Sequence, residues 1–364
     1  MMMIDTDLNV HQSMKVVEHT FSDKKTLYYF DADFSDLANI VKKENTILIT
    51  DAHIFATHKE KFDGWKTIVI QPGEATKQQA AVDGIIEQLI GYEADRTSCI
   101  VGIGGGVVTD IAGYAAGIYM RGLRFGSVPT SILAMVDASI GGKTGVDVGA
   151  YKNLVGLIRQ PDFLLYDYSF LKSLPEPEWV NGFAEIIKHA CIKDAELFDL
   201  LEAESLESFR NNKGKLAALI ERNAELKTSV VINDEFEHGE RKLLNFGHTL
   251  GHAIENIYTL PHGHAISIGM AVACSISEKI NEFSSAETLR ILDLLSKYKL
   301  PVHLHFDQQK VFEMMKLDKK RTRSEINFIL LNSIGEAIVK SIPFSQLETL
   351  LSESILSTAG AKQL

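Results

Sequence analysis

The sequence has little of what small secreted proteins use to stabilise their folds. Only three of its 364 residues are cysteines. Cys99, Cys191 and Cys274 form an odd, widely spaced set without the spacing of metal ligands, which argues against a disulfide framework and favours a reducing compartment. We therefore predict that the three thiols only fill the core.

Positive charge and long apolar runs are also scarce. With 37 basic and 48 acidic residues, the formal net charge is −11. Such a chain repels nucleic acid and anionic membranes on average, so any anion that it binds needs a local basic pocket. No apolar run reaches the length of a membrane span, and the first ten residues lack a basic start followed by an apolar stretch. We expect a cytoplasmic protein with no nucleic-acid or membrane partner.

The composition is that of a folded chain long enough for two domains. Hydrophobic residues make up 45% of the chain and charged residues 23%, which is ordinary globular usage, and domains commonly have about 150 residues. In the first half, a helical pattern such as Ala80–Tyr92 alternates with short β-branched runs at 46–50, 67–71, 99–103, 125–129 and 162–166. This alternation predicts an α/β, doubly wound (Rossmann-like) parallel sheet with helices on both faces.

The pattern changes after the proline-containing segment 174–177. From there the periodicity is helical, until a hairpin predicted at 326–331 and 337–342 and a final helix near Phe344–Leu356. We predict an α/β domain over residues 1–175 and a mainly helical domain over 176–364, with a site in the cleft between them.

Glycine is concentrated in the first domain, with 12 of the 26 glycines between Gly102 and Gly149. The segment 99–110 passes from an apolar strand through Gly104, Gly105 and Gly106 into a helix that begins near Val107. Glycines let the backbone approach a phosphate, and a helix N-terminus attracts anions, so this segment favours a dinucleotide. The usual G-x-G-x-x-G frame fails at Val107, and a tight structural turn is the alternative.

Polar residues follow other predicted strands. Asp51 could accept hydrogen bonds from a ribose or simply cap a helix, and Glu74 and Lys77 could reach the same ligand or belong to a solvated loop. The long glycine-rich stretch 120–149 carries Arg121, Asp137 and Lys143, with Lys152 just after it. Because such a stretch is difficult to order without a ligand, it predicts a bound anion rather than a surface loop.

Histidine is concentrated in the second domain. His248 and His252 stand at i and i+4 on one helical face, and His262 and His264 follow within 12 residues. This favours a divalent metal over satisfied surface histidines, and a catalytic zinc often takes a carboxylate ligand, for which Glu185 is the best candidate. Basic residues recur nearby and predict an anionic substrate, although each could be a solvated charge; they are Lys188, Lys227, Arg241 and Lys320.

Together these residues resemble the 3-dehydroquinate synthase family. The resemblance covers roughly residues 45–335 and depends on motifs in family order, namely Gly104–Asp110, Tyr119–Gly122, Val128–Ser131, Met135–Asp137, Ile140–Thr144, Lys152-Asn153, Ala184–Lys188, Glu237–Arg241, Leu244–His248, Gly251-His252, His262-Gly263 and Asp318–Lys320. It implies a homodimeric lyase of the shikimate pathway, which leads to chorismate and the aromatic amino acids. Such an enzyme converts 3-deoxy-D-arabino-heptulosonate 7-phosphate into 3-dehydroquinate and phosphate.

The resemblance also implies the cofactors and the chemistry. The family uses NAD, which is reduced and reoxidised within one turnover, and a divalent metal, usually zinc or cobalt. Oxidation of the C5 alcohol acidifies the C6 hydrogen and permits phosphate elimination; re-reduction, ring opening and an intramolecular aldol closure then form the carbocycle. The first domain would bind NAD, and the second would bind the metal and the substrate.

The roles of individual residues follow by matching positions. The metal ligands would be Glu185, His248 and His262, and His252, which spacing alone favours as a ligand, would instead contact substrate and relay a proton. The remaining substrate-binding or catalytic positions are Arg121, Asp137, Lys143, Lys188, Lys227, Glu237, Arg241, Asn245 and Lys320. The NAD-contacting positions are Asp51, Glu74, Lys77, Gly105, Gly106, Asp110, Thr130, Ser131, Lys143, Lys152, Phe170 and Ser173.

Two departures and three alternatives accompany the resemblance. His264 stands where the family usually has glutamate, and His53 where asparagine is common. Other sugar phosphate cyclases accept substrates without a carboxylate and tend to replace residues matching Lys227, Arg241 and Asn245. An oxidoreductase resembling glycerol dehydrogenase would lack the Ile140–Lys143 and Lys152-Asn153 elements. A non-catalytic NAD-binding module would not need an open metal site.

Overall fold

The computed structural model describes residues 14–22, 24–149, 151–316 and 324–360. The chain forms two compact units, residues 1–174 and 175–364, and each has its own core. The boundary falls at the proline-containing segment, where Pro175 is the N-cap of the first helix of the second unit and Pro177 lies in its first turn. Proline is common at such positions because N–H groups in the first turn of a helix have no acceptor within the helix, so the missing N–H costs no helical hydrogen bond.

The first unit is built on a seven-stranded sheet in the order β1-β2-β9-β6-β5-β3-β4. Its strands are β1 (Lys15–Thr20), β2 (Lys25–Phe30), β3 (Thr46–Asp51), β4 (Lys66–Ile70), β5 (Cys99–Gly104), β6 (Arg124–Pro129) and β9 (Phe163–Leu165). All neighbours pair in parallel except β1 with β2. The five predicted strands are present, with the last shortened to three residues, and the edge pair β1–β2 was not predicted.

Both faces of this sheet are covered, as predicted for a doubly wound fold. Along β3, Ile47 and Ile49 belong to one hydrophobic cluster and Leu48 belongs to the other, because successive side chains of a strand point to opposite faces. The first cluster contains residues of α3 (Gln79–Gly91) and α4 (Gly106–Ile118). The second contains Leu37 of α1 (Leu37–Ile40), and α2 (Ala52–Thr57) packs partly buried against it.

Part of the glycine-rich stretch is a β-hairpin, formed by β7 (Lys143–Val148) and β8 (Tyr151–Ile158). Gly145 pairs with Gly156 across the two strands, and a Cβ on Gly145 would lie 2.9 Å from the Cα of Gly156. The end of the glycine-rich stretch is therefore a strand rather than a surface loop. The glycines let the two strands of the hairpin come close.

The second unit is mainly helical, as predicted. Its helices are α5 (Glu176–Lys193), α6 (Ala195–Ala203), α7 (Leu206–Asn211), α8 (Lys213–Asn233), α9 (His248–Tyr258), α10 (His262–Ile280), α11 (Ser285–Lys297), α12 (Gln308–Met315) and α13 (Phe344–Gly360). The predicted hairpin is β10 (Glu325–Ser333) paired antiparallel with β11 (Glu336–Pro343). It turns at Gly335, whose φ is +89° and whose N–H donates to the carbonyl of Cys191.

The three cysteines are buried and free, as expected of core residues. Burial raises the pKa of Cys99 to about 12, so this thiol is protonated and unreactive at neutral pH. Among the described helices, none combines the length and apolarity that a membrane crossing requires.

Two helical glycines of the first unit are a matched pair for testing the packing of α4. A Cβ on Gly113 would overlap the side chain of Thr144 on β7, whereas nothing lies within 4 Å of a Cβ on Gly84 of α3. We expect Gly113→Ala to lower the free energy of unfolding by about 1–3 kcal/mol through overpacking. Gly84→Ala should raise it by about 0.5–1 kcal/mol through helix propensity. Urea titrations measure both, and equal stabilisation by the two substitutions would contradict this packing.

Candidate active site

Three helices of the second unit bring a carboxylate and two imidazoles together. Glu185 lies in the middle of α5, His248 is the first residue of α9, and His262 is the first residue of α10. Oε1 of Glu185 is 3.2 Å from Nε2 of His262 and 3.5 Å from Nε2 of His248. The three atoms lie within 4.8 Å of one another, which is the separation expected of ligands to one ion.

Glycines allow these helices to approach so closely. Gly247, just before α9, has φ +78°, and a Cβ there would lie 2.8 Å from the carbonyl oxygen of Ile266 on α10. A Cβ on Gly263, in the first turn of α10, would lie 2.9 Å from the Cα of Asn181 on α5. Larger residues would separate the helices, so the glycines beside His248 and His262 set the distances between the three ligand atoms.

Hydrogen bonds fix the orientation of both imidazoles. The Nδ1 of His248 donates to the carbonyl of Phe246 at 3.0 Å, and Nδ1 of His262 lies 3.4 Å from a carboxylate oxygen of Glu255. When Nδ1 carries the proton, Nε2 presents a lone pair, and orienting partners of this kind are usual behind metal-bound histidines. With Nδ1 protonated in both rings, two lone pairs and a carboxylate oxygen face one point, which is how ligands to a cation are arranged.

The charges around this group agree with that interpretation. Glu185 has no solvent exposure, and its Oε2 pairs with the buried ammonium of Lys188. Burial lowers the pKa of His262, but the carboxylates of Glu185 and Glu255 outweigh it and raise the pKa to about 10. The surrounding carboxylates thus favour positive charge at the His262 imidazole. A divalent ion bound there would supply that charge. Two nitrogens and one oxygen match a catalytic zinc site, in which further positions stay open.

His252 lies beside this group but does not face Glu185. Its ring centre is 5.1 Å from that of His248 and 6.2 Å from that of His262. It groups instead with Glu255 and His262. The i, i+4 spacing places both histidines of α9 on one side of the helix, but only the first reaches the carboxylate on α5.

A loop after α8 carries further predicted residues, and Asp234 organises it. The Asp234 carboxylate accepts hydrogen bonds from the backbone N–H groups of His238, Gly239 and Arg241 at 2.7–3.0 Å. Desolvation opposes ionisation of Asp234, but these bonds outweigh it and lower the pKa. The sequence did not single out Asp234, although an aspartate just after a helix commonly accepts hydrogen bonds from the backbone of the turn that follows it.

The predicted substrate residues of this unit are placed as follows. The Arg241 side chain is buried and donates to the carbonyl of Glu235, and Lys227 is buried on α8. Asn245 donates from its amide nitrogen to Glu237 at 2.8 Å and to the carbonyl of Lys242 at 3.1 Å. Lys320 lies outside the described residues.

In the first unit, the predicted cofactor residues cluster at the carboxyl ends of β5 and β6. Gly105 is the N-cap of α4, and a Cβ there would lie 3.5 Å from Oγ of Ser131, so the two chain segments are in contact. Gly106 begins α4, and the backbone of Thr130 donates to Gly104 at 3.0 Å. This is the edge of an open parallel sheet where ligands bind, and α4 presents its N-terminus there.

An ion pair between Lys77 and Asp110 lies near the start of α4. Nζ of Lys77 lies 2.5 Å from Oδ2 of Asp110 on α4. Burial lowers the pKa of Lys77, but Asp110 and Glu74 outweigh it and raise the pKa. The carbonyl of Lys77 accepts from the backbone N–H of Asp147 on β7 at 2.8 Å. Lys77 is therefore fixed at both its backbone and its ammonium.

Asp147 is a second residue that the sequence analysis missed. Its carboxylate accepts from the backbone N–H of Asn153 at 2.7 Å and so closes the hairpin beside Lys152, whose Nζ is 3.4 Å from Glu74. Burial raises the pKa of Asp147. Sequence alone could not reveal this, because the hydrogen bond depends on the unpredicted hairpin.

The other predicted residues of this unit are more scattered. Asp51 caps α2 by accepting from the N–H groups of His53 and Ile54 at 2.8 and 3.0 Å, which is the capping role considered as an alternative. The ring of Phe170 is buried in the core, so only the backbone there could face a cofactor. Asp137 lies in the helical turn Ala134–Ala138, Lys143 begins β7, and Arg121 is exposed with φ +67°.

The fold and the site together define the class of the sugar phosphate cyclases. The structure of a 2-epi-5-epi-valiolone synthase from Streptomyces hygroscopicus subsp. jinggangensis, with NAD+ and Zn2+ bound, matches with a TM-score of 0.84 and 26% identity. The match covers 96% of this chain and 99% of that one. A 2-deoxy-scyllo-inosose synthase with carbaglucose-6-phosphate, NAD+ and Co2+ matches with a TM-score of 0.82 and 25% identity, covering 93% and 100%.

Sequence comparison defines the family more narrowly. Residues 67–181 match the model described as 3-dehydroquinate synthase N-terminal, and residues 182–321 match 3-dehydroquinate synthase C-terminal. A 3-dehydroquinate synthase of Campylobacter curvus is 39% identical over 324 residues, which are 86% of this chain and 92% of that protein. The chain belongs to the 3-dehydroquinate synthase family.

The two histidines at the start of α10 allow a direct test of the ligand set. Nε2 of His262 faces Glu185, and His264 is not part of that group. We expect His262→Ala, purified with zinc and dialysed against a weak chelator, to lose its metal, whereas His264→Ala keeps about one ion per chain. Elemental analysis by mass spectrometry measures both. Loss of metal from His264→Ala alone would contradict the assignment.

Proposed function

We propose that this chain is a 3-dehydroquinate synthase, which converts 3-deoxy-D-arabino-heptulosonate 7-phosphate into 3-dehydroquinate and phosphate in the shikimate pathway. The observation that carries the proposal is the convergence of Glu185, His248 and His262 beside buried cations, within a chain that shares 39% identity with a named member of the family. We further propose that the enzyme works in the cytoplasm.

A divalent metal and NAD both fit the residues present. Glu185, His248 and His262 would hold the metal, and the glycines at the start of α4, with Thr130, Ser131, Lys77 and Asp110, would hold NAD. When bound, NAD takes up and returns a hydride, and the metal polarises the hydroxyl group that is oxidised. Zinc or cobalt suits the two nitrogen ligands and one oxygen ligand.

The substrate is an anion at both ends, and the second unit has buried cations to bind it. Lys188, Lys227 and Arg241 are all buried, so their interactions with a carboxylate or phosphate are weakly screened by solvent. Both amide hydrogens of Asn245 are already donated, which leaves its carbonyl oxygen to accept from a substrate hydroxyl. His252 would hold or transfer a proton at a ring nitrogen, and Glu237 would orient the substrate.

Residues of the first unit would act on the phosphate and the cofactor. Lys152 and Arg121 would place positive charge near the phosphate group of the substrate. Lys143 would do so for both the substrate and NAD. Asp137 would orient the substrate. The Lys77–Asp110 pair is 2.5 Å long, and its fixed geometry would orient the nicotinamide ribose together with Glu74. Asp51, whose two capping bonds use the same oxygen, Oδ1, would contact the adenosine ribose.

The substrate carboxylate distinguishes this proposal from the other cyclases. We expect the purified protein, with zinc and catalytic NAD, to release phosphate and dehydroquinate in equal amounts from the heptulosonate phosphate. A matched sugar phosphate without the carboxylate should react at least about 100-fold more slowly, because it lacks a charge-assisted hydrogen bond to a buried cation, which contributes up to about 3 kcal/mol. Phosphate release and product are measured together. Equal rates with both substrates would contradict the proposal.

We also propose that the enzyme is a homodimer, with β8 in the interface. This strand is exposed along most of its length, and its apolar residues Tyr151, Leu154, Val155, Leu157 and Ile158 are each 36–52% exposed. Five exposed apolar side chains on one strand of a two-stranded hairpin are typical of a protein contact, and a second copy of the chain is the partner we propose, since most oligomers are homo-oligomers.

A charge on this strand should separate the protomers. Leu154→Glu should change a dimer into a monomer in light scattering coupled to size exclusion, at micromolar concentration, because a glutamate buried in the contact would lose its hydration. Leu289→Glu on α11 is the control, since Leu289 has nearly the same exposure, 53% against 52%. A dimer that persists in Leu154→Glu, or a monomeric parent chain, would contradict the proposed interface.

A further inference from the structure

The segment that follows β9 is held at both ends by residues that follow α2. It forms the 3-10 helix Tyr168–Ser173. At its start, Oδ2 of Asp167 accepts from Nζ of Lys61 at 3.0 Å. At its end, Oγ of Ser173 lies 2.7 Å from Nε2 of His58. His58 and Lys61 follow α2, and the strand before α2 is separated from β9 by β6 and β5, so these two bonds join segments that follow non-adjacent strands.

The direction of the His58–Ser173 hydrogen bond follows from the serine. The hydroxyl of Ser173 donates its one hydrogen to the carbonyl of Phe170 at 3.0 Å. With that hydrogen used, the hydroxyl accepts from His58, and in this arrangement the imidazole carries its proton on Nε2. The chain of bonds runs from the imidazole through the hydroxyl to the backbone of Phe170, and it fixes the last turn of the segment.

The ring of Phe170 completes the contact. The His58 ring meets it edge-on with centroids 4.8 Å apart, and Nζ of Lys61 stands 5.1 Å from its centroid. The charged groups that face His58 are Lys61, Glu60 and Asp167. Burial and then Lys61 lower the pKa of His58, against the smaller opposing effect of Glu60 and Asp167, so the imidazole is neutral at pH 7 and donates from one nitrogen.

We propose that His58 is a positioning residue for NAD: by holding the Ser173 hydroxyl, it fixes the backbone of residues 170–173 in the conformation that binds the cofactor. The inference rests on the proposed function, and within it on Phe170 and Ser173 being among the NAD-contacting positions that the family resemblance implies. His58 is not one of the proposed NAD-contacting residues, and it affects NAD binding through Ser173. The buried ring of Phe170 anchors the segment and leaves its backbone as the part that contacts NAD.

The test is NAD binding to the zinc-loaded full chain by calorimetry. His58→Leu removes the donor and keeps a side chain of similar bulk, and it should weaken NAD binding about 3- to 10-fold, as expected for one lost hydrogen bond. His58→Gln can place an amide N–H near the position of Nε2 and should restore binding to within about 2-fold. His303→Leu, at an exposed imidazole of the second unit, is the matched control and should bind like the parent chain.

A second variant keeps the test independent of folding defects. Ser173→Ala leaves His58 in place, and the double variant with His58→Leu should bind NAD no more weakly than the weaker single variant, because both remove one bond. At saturating NAD, kcat of His58→Leu should stay within about 2-fold of the parent, with the loss confined to the KM for NAD. A general structural role would instead lower the melting temperature without changing NAD affinity.

The outcomes separate this inference from the proposed function. If the parent chain binds NAD and His58→Leu binds it equally well, or if the two single losses simply multiply in the double variant, the positioning role is wrong and the proposed function stands. If the parent chain binds no NAD at all, both are wrong. The role is established if His58→Leu weakens NAD binding, His58→Gln restores it, and Ser173→Ala weakens it to the same extent as His58→Leu.

Discussion

The second unit depends on the stabilisation of one buried carboxylate. Glu185 has no contact with solvent, and an ionised carboxyl group in such a place is tolerated only when positive charge and hydrogen-bond donors replace water. Lys188 on the next turn of the same helix supplies part of that charge. The rest must come from the side of His248 and His262, whose Nδ1 atoms are directed to other acceptors. The helices α5, α9 and α10 thus hold a site whose carboxylate favours positive charge at His262, which a bound cation would supply.

Both units use glycine where a helix packs closely against a neighbouring element. Gly113 of α4 lies against β7, and Gly247 of α9 lies against α10. Neither contact leaves space for a side chain, so the hairpin and the helix pair are held at fixed distances by close packing rather than by long flexible side chains. Polar residues such as Asp147 and Asp234 then fix the loops at the ends of these elements. The result is preorganisation, since the binding groups are placed before any ligand arrives.

The parallel strands could be predicted from sequence because each is a continuous apolar run buried on both faces, as β3 and β5 are. The hairpin β7–β8 could not, because β8 is mostly exposed and has neither alternation nor a buried run. For the metal group, spacing along α9 favours His252, and only family resemblance points to His262 instead. Glu185 precedes both histidines by more than sixty residues. The packing of the helices therefore determines which imidazole contacts its carboxylate. His58 was missed for the same reason, since its partner is distant in sequence.

The origin of the three candidate ligands in three separate helices makes metal binding a measure of folding. Glu185, His248 and His262 come together only when α5, α9 and α10 are packed, so the unfolded chain offers no comparable site. Free ion at about 100 times its dissociation constant would then add about 2.7 kcal/mol to the stability of the folded state. In a cell, the supply of metal would therefore determine how long the second unit survives unfolding and proteolysis, in addition to whether it can work.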